Sequence, residues 1–201
     1  MTLHEAAHGY VARMFGDNTA YMMGRVTLNP AKHIDPIGTL VFPLISLMLG
    51  GIIFGWAKPV PVNFGNLRNP KADMFWVAAA GPASNVAQAL LWGALAKILQ
   101  NSPSDSRAVT FWILVAAAGI SWNVVIAIFN LFPILPLDGG RIVASMLPKK
   151  LAWEFSKLER YGMLILIGFI ILLMSVPPVG YAFQSLLSHA QQLVVSLYSL
   201  Q

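Results

Sequence analysis

The sequence predicts an all-α polytopic membrane protein: a bundle of transmembrane helices with a small membrane-associated β segment and a re-entrant hairpin. Composition carries the class. Of 201 residues, 57% are hydrophobic and only 10% charged, and the mean hydropathy is +0.66, values expected of a chain dissolved in lipid and not in water. Apolar runs at residues 37–57, 74–97, 109–137 and 161–183 each approach the ~20 residues that a helix needs to cross the hydrocarbon core.

The basic residues supply the third observation, because Lys and Arg in short loops collect on the cytoplasmic side. If 37–57 crosses fully, Arg13, Arg25, Lys32, Lys97 and Arg107 face the remaining eight across the bilayer. If that run dips in and returns, Arg13, Arg25, Lys32, Lys58, Arg68, Lys71, Arg141, Lys149, Lys150, Lys157 and Arg160 share one side, and only Lys97 and Arg107 lie opposite. Eleven against two is the stronger bias. Pro43 and Gly50-Gly51 supply break points, and irregular backbone is tolerated at membrane depth where protein covers it. The re-entrant hairpin is therefore expected.

Residues 1–15 read as a helix that stops near Gly16-Asp17-Asn18. Residues 22–28 and 60–64 have the β-branched, turn-bounded look of short strands. Leu186, Ala190, Leu193, Leu197 and Leu200 recur at helical spacing and predict a C-terminal amphipathic helix, with His189 on its polar face. Two domains are expected, a membrane core over 1–145 and a C-terminal helical segment over 146–201. The net charge of +5 is spread over loops without an aromatic-lined basic stripe, which excludes nucleic acid as a partner. The lipid bilayer is the expected surrounding.

His4-Glu5-Ala6-Ala7-His8 is the pattern with chemical content. Residues i and i+4 share one helical face, so two imidazoles can grip one zinc ion. Glu5 stands on the rim of that face, where a carboxylate can polarise a bound water and pass its proton to a leaving amine. The chain contains no cysteine, so any metal site must use imidazole and carboxylate.

A catalytic zinc site ordinarily has three protein ligands, and this motif supplies two. Met14 stands where a metzincin would place its third histidine, and Glu154 and Glu159 lack the aspartate of a gluzincin helix. His33 and Asp35 lie in a proline-flanked loop where turn and capping roles are ordinary. Asp138 is the stronger candidate. It follows Asn130-Leu131-Phe132-Pro133-Ile134-Leu135-Pro136-Leu137 and precedes Gly139-Gly140, and a carboxylate at membrane depth is costly unless paired. Its alternative role is a helix-end aspartate that faces interfacial water or pairs with Arg141.

His4-Glu5-Ala6-Ala7-His8, Gly24-Arg25-Val26-Thr27-Leu28-Asn29-Pro30, His33-Ile34-Asp35-Pro36, Gly55-Trp56-Ala57-Lys58-Pro59-Val60-Pro61-Val62-Asn63, Gly81-Pro82-Ala83-Ser84-Asn85 and Leu137-Asp138-Gly139-Gly140 occur in the order seen in site-2 protease homologues. Over residues 1 to about 145 the chain most resembles the compact bacterial branch of the M50 zinc metalloproteases that lacks a PDZ domain. The resemblance implies that His4, His8 and Asp138 bind zinc and that Glu5 is the catalytic acid/base. It also implies an intramembrane protease that cuts substrate helices, in a bacterial cell membrane with its site open toward the cytoplasm. Family members resemble each other in an apolar stretch before H-E-x-x-H, and its absence from residues 1–3 would remove packing around His4 and Glu5.

Asn85 and Asn130 lie in apolar helices, where an amide needs a partner. Each is a candidate oxyanion donor or an interhelical contact, whereas Asn123 reads as packing. The other functional class open to this sequence is a catalytically silent homologue that binds membrane helices or metal. Glu5 beside both histidines argues against it. A homo-oligomer is compatible with the C-terminal segment.

Overall fold

The computed structural model describes residues 1–48, 55–102 and 106–200. They divide into two compact units, 1–81 and 82–201. No strand occurs among the described residues.

The first unit is organised around α1 (Thr2–Met14), whose buried face is His4, Ala6, Gly9 and Ala12. Ala12, Leu67 and Val77 form a small core with Val11, Phe15, Val62 and Phe64 packed on it. The helix ends at Phe15, as the Gly16-Asp17-Asn18 breaker predicts. Asp17, fully buried, then fastens that end. Its carboxylate accepts from the backbone and hydroxyl of Thr19, from Asn63 N at 2.7 Å and from Asn66 Nδ2 at 3.1 Å. A short helix α2 (Thr19–Met22) follows, and α3 (Phe42–Met48) continues a π-helical turn over Pro36–Val41.

The expected strands at 22–28 and 60–64 are absent. Residues 19–22 are helical, and 64–66 form a 3-10 turn capped by Asn63. The intervening backbone groups are held one at a time by other partners. Lys58 N donates to His33 O at 2.9 Å, Val60 N to Glu5, and Asn63 N to Asp17. Donors engaged in this way have no ladder to join. At the ends of the apolar run 37–57, Trp56 N donates to Gly38 O and Thr39 Oγ1 to Trp56 O, both at 3.0 Å. Gly50-Gly51, the expected break, lies outside the described residues.

The long helix α4 (Pro70–Gln100) contains the run 74–97. Beyond it come α5 (Arg107–Asn130), α6 (Asp138–Met146), α7 (Lys149–Ser156), α8 (Gly162–Ser175) and α9 (Pro177–Leu197). Among the described residues, Arg107–Asn130 and the helical run Lys149–Ser175 are long and apolar enough to cross a membrane. Ser106 caps α5 by accepting from Val109 N, and the expected run 109–137 ends as helix at Asn130, ahead of Pro133. The run 161–183 is two helices, because Pro177 cannot continue α8 and instead starts α9.

The core of the second unit is Ala89, Ile120 and Val124, with Trp92, Ile128, Ala190, Val194 and Leu200 packed on it. The packed face of α9 therefore carries Ala190 and Val194. Leu186, Leu193 and Leu197, which share the expected apolar stripe with Ala190, are exposed. Small side chains let helices approach closely, while large apolar ones suit contact with lipid.

Burial raises the affinity of Asp17 for a proton, but the donors from Thr19, Asn63 and Asn66 outweigh it and hold the carboxyl below its ordinary range. A depressed folded-state pKa contributes stability above the unfolded value of about 3.9, and this is lost as pH falls through the folded value. Asp17→Ala should lower the unfolding free energy by about 1–3 kcal/mol at neutral pH, since it leaves buried donors unmatched. Asp17→Asn should flatten the acid side of the stability profile. Denaturant unfolding in detergent at pH 3 to 7 measures both.

Candidate metal centre

Helix α1 puts His4 and His8 one turn apart, and their Nε2 atoms stand 3.2 Å from each other. The ring centroids are 4.8 Å apart with planes at 86°. His8 Nδ1 lies 2.7 Å from Val77 O, and only a protonated nitrogen pairs with a carbonyl. The Nε2 of His8 therefore carries the lone pair, directed at the gap between the rings. Two nitrogens held ~2.0–2.1 Å from a tetrahedral zinc stand about 3.3 Å apart. The pair has the spacing and the tautomer of a metal-binding couple.

Gly81 makes room for it. A Cβ on Gly81 would lie within contact distance of His8 Nε2 and Cε1 and of His4 Cε1, far inside van der Waals separation. Any side chain there would occupy the space in front of the imidazoles. Gly81 thus brings its backbone directly against the imidazole pair.

Glu5 adjoins both histidines in sequence and points its carboxylate at a different element. Its Oε2 accepts from Val60 N at 2.8 Å, and Val60 is buried. This bond fixes the orientation of the carboxylate.

In the second unit, Asp138 is the first residue of α6 and is buried. Gly139 and Gly140 explain how the helix can begin there. A Cβ on Gly139 would strike Leu131 O, and one on Gly140 would lie 2.6 Å from the Ile134 carbonyl carbon. The Asp-Gly-Gly sequence thus lets the start of α6 pack directly on the backbone that leaves α5. Arg141 Nη2 lies 3.5 Å from Glu159, and Glu154 pairs with Lys157 at 2.7 Å. Asn85 is fully buried and donates through Nδ2 to Asn123 Oδ1 at 2.8 Å, while Asn123 donates to Gly119 O. Asn130 donates to Ile126 O, one turn back in its own helix.

The remaining ionisable residues of the sequence reading have local partners. His33 Nε2 pairs with Thr27 O at 3.0 Å, and Asp35 accepts from Ile37 N and Gly38 N. These are the turn and capping roles. His189 pairs with Ser185 O on the exposed side of α9. Sequence reasoning missed Val77 and Val60, whose contributions are a carbonyl and an N–H. Every residue has these groups, so no side-chain pattern marks them. Arg25 was read as a loop charge and as part of a family motif, with no role of its own, yet it is buried.

Residues 93–175, which contain Asp138, match the profile of peptidase family M50. The chain is similar to several relatives that bear the name Putative zinc metalloprotease. YwhC of Bacillus subtilis is 35% identical over 202 residues, covering 98% of this chain and 86% of the relative. Rip2 of Mycolicibacterium smegmatis is 30% identical over 172 residues, covering 85% of this chain and 63% of the relative. Rip2 of Mycobacterium tuberculosis is 31% identical over 139 residues, 69% of this chain and 51% of that protein. No solved structure matches the chain. The chain belongs to peptidase family M50, the site-2 protease family. It is a zinc metalloprotease, and two apolar helices agree with the membrane placement of that family.

Gly81→Ala should displace the imidazoles, cutting bound zinc from about one per chain to a small fraction of that. Metal analysis of detergent-purified protein measures it. Full occupancy in the variant would show that the pair tolerates a methyl group in front of it.

Proposed function

We propose that the chain hydrolyses peptide bonds in or beside transmembrane helices of other membrane proteins. The observation that carries this reading is the imidazole pair of His4 and His8, with their Nε2 atoms 3.2 Å apart, and Glu5 beside it, oriented by Val60 N–H. Asp138 is the third ligand in this reading. The chemistry needs one more hard donor, and the support is a buried carboxylate at the start of α6 in a protein without cysteine. Zinc, when bound, polarises the scissile carbonyl and acidifies the attacking water. His8, its tautomer fixed by Val77 O, holds its lone pair ready for binding. Glu5 accepts the proton of the attacking water and delivers it to the departing amide nitrogen.

One of Asn85 and Asn130 is the proposed oxyanion donor, a role that requires a further N–H from an amide whose Nδ2 already donates to Asn123 Oδ1 or to Ile126 O. A substrate helix must unwind locally to present its carbonyl, since intact helical carbonyls are already hydrogen-bonded. Addition of the substrate as a strand at 60–64 has no support, because the N–H groups of Val60 and Asn63 are taken.

A multi-pass topology with the site open to the cytoplasmic side, in a bacterial cell membrane, follows from the basic-residue distribution. The re-entrant course of 37–57 is supported by the hydrogen bonds that join Gly38 and Thr39 to Trp56. A run that crossed the bilayer would carry these residues ~30 Å apart. A membrane-helix substrate and the bilayer are the proposed partners, and self-association is compatible with this topology.

Glu5→Gln should abolish cleavage while zinc remains at about one per chain, and Asp138→Ala should lose or weaken the zinc. Metal content and cleavage of a quenched transmembrane peptide in detergent test both. Cleavage by Glu5→Gln at the wild-type rate would remove Glu5 from the chemistry, and full zinc in Asp138→Ala would remove Asp138 from the site.

A further inference from the structure

Arg25 is buried, with 7% of its surface exposed, and a buried cation is costly unless hydrogen-bonded. Its Nη2 donates to Lys58 O at 2.8 Å and to Pro59 O at 3.3 Å. Opposite this grip, Lys58 N donates to His33 O at 2.9 Å. Proline has no N–H, so the next backbone donor in the segment is Val60 N, which holds Glu5 Oε2 at 2.8 Å.

The intervening chain is stiff. Pro59 and Pro61 fix their own φ angles, and each restricts the residue before it, Lys58 and Val60 respectively. A displacement at the Lys58 and Pro59 carbonyls is therefore passed along the chain to the Val60 amide instead of being absorbed. Both carbonyls are met by the one Nη2 nitrogen, which the planar guanidinium holds in a more fixed orientation than a freely rotating ammonium would have.

We propose that Arg25 is a positioning residue for peptide hydrolysis: by clamping the Lys58 and Pro59 carbonyls it sets the Val60 N–H that orients the Glu5 carboxylate. This rests on the reading of Glu5 as the acid/base. It assigns Arg25 a task in the reaction although it touches neither metal ligand. The clamp acts on the proton-transfer step, so it should affect turnover and leave substrate and metal affinity alone.

The test uses the zinc-loaded full chain in detergent, with Arg25→Met, Arg25→Lys and Val60→Pro, the last of which removes the N–H itself. Cleavage of a quenched transmembrane peptide should show kcat down ~10–100-fold in Arg25→Met and Val60→Pro, the scale of an ångström misplacement. KM should stay within about twofold and zinc at about one per chain. Arg25→Lys should recover part of the loss. The double variant Arg25→Met/Val60→Pro should be no slower than Val60→Pro alone, because both act through one bond. Independently of any substrate, amide exchange at Lys58 and Val60 should quicken at least about tenfold in Arg25→Met, with that of α1 unchanged.

Unchanged exchange at 58–60 in Arg25→Met would overturn the proposal. So would a multiplicative loss in the double variant, or loss of zinc in step with activity. If Arg25→Met does not fold, Arg25→Lys and Val60→Pro carry the same comparison. A wild-type chain that binds zinc and cuts nothing would count against the protease reading of Glu5, while the exchange result would still decide the clamp.

Discussion

The hydrogen bond from His8 Nδ1 to Val77 O is the contact on which the chemistry of the first unit depends. A histidine binds metal through a lone pair, and in solution the imidazole proton moves freely between its two nitrogens. The Val77 carbonyl removes that choice and holds the ring, so that Nε2 faces His4 at 3.2 Å. The arrangement requires α1 and the helix that begins at Pro70 to approach closely. Gly81 permits it by presenting no side chain to the two rings. The contact between the two rings is thus held in place by the packing around them.

Backbone groups do much of the positioning. Glu5 is oriented by an amide, Asp17 by two amides and two side chains, and the segment that supplies the Val60 amide is held by the Arg25 guanidinium and by a carbonyl of the His33 loop. Such contacts suit a site in a small apolar protein. They need few ionisable side chains, each of which would be costly at membrane depth. They also explain why residues 56–63 form no sheet although their composition favours one. The donors a strand would offer are committed to carboxylates and loop carbonyls, and two prolines supply none.

The second unit follows a different logic. Alanine, valine and isoleucine pack where α9 meets the core around Ile120, and most of the leucines of α9 face outward. In water this would reverse the usual pattern. In lipid the outer face costs nothing, and close approach of small residues provides the dispersion contacts that hold helices together. The Asn85–Asn123 bond adds a polar contact within that apolar setting.

The sequence by itself determined the class of the protein, the helical character of α1 and the pairing of His4 with His8, because i,i+4 spacing on a helix is a local property that needs no tertiary information. It also located the end of α1, where glycine and asparagine act on their own backbone. Only the tertiary structure decided what the extended segments do. Whether residues 60–64 become a strand depends on who takes their N–H groups, and the takers, Glu5 and Asp17, lie more than forty positions away. The same holds for Val77 and for the burial of Arg25. Their roles belong to backbone atoms or to partners distant in sequence, and periodicity and composition carry no record of either. The packed side of α9 was open for a related reason: hydrophobic spacing identifies an apolar stripe, but in a membrane protein apolarity does not distinguish the side that meets protein from the side that meets lipid.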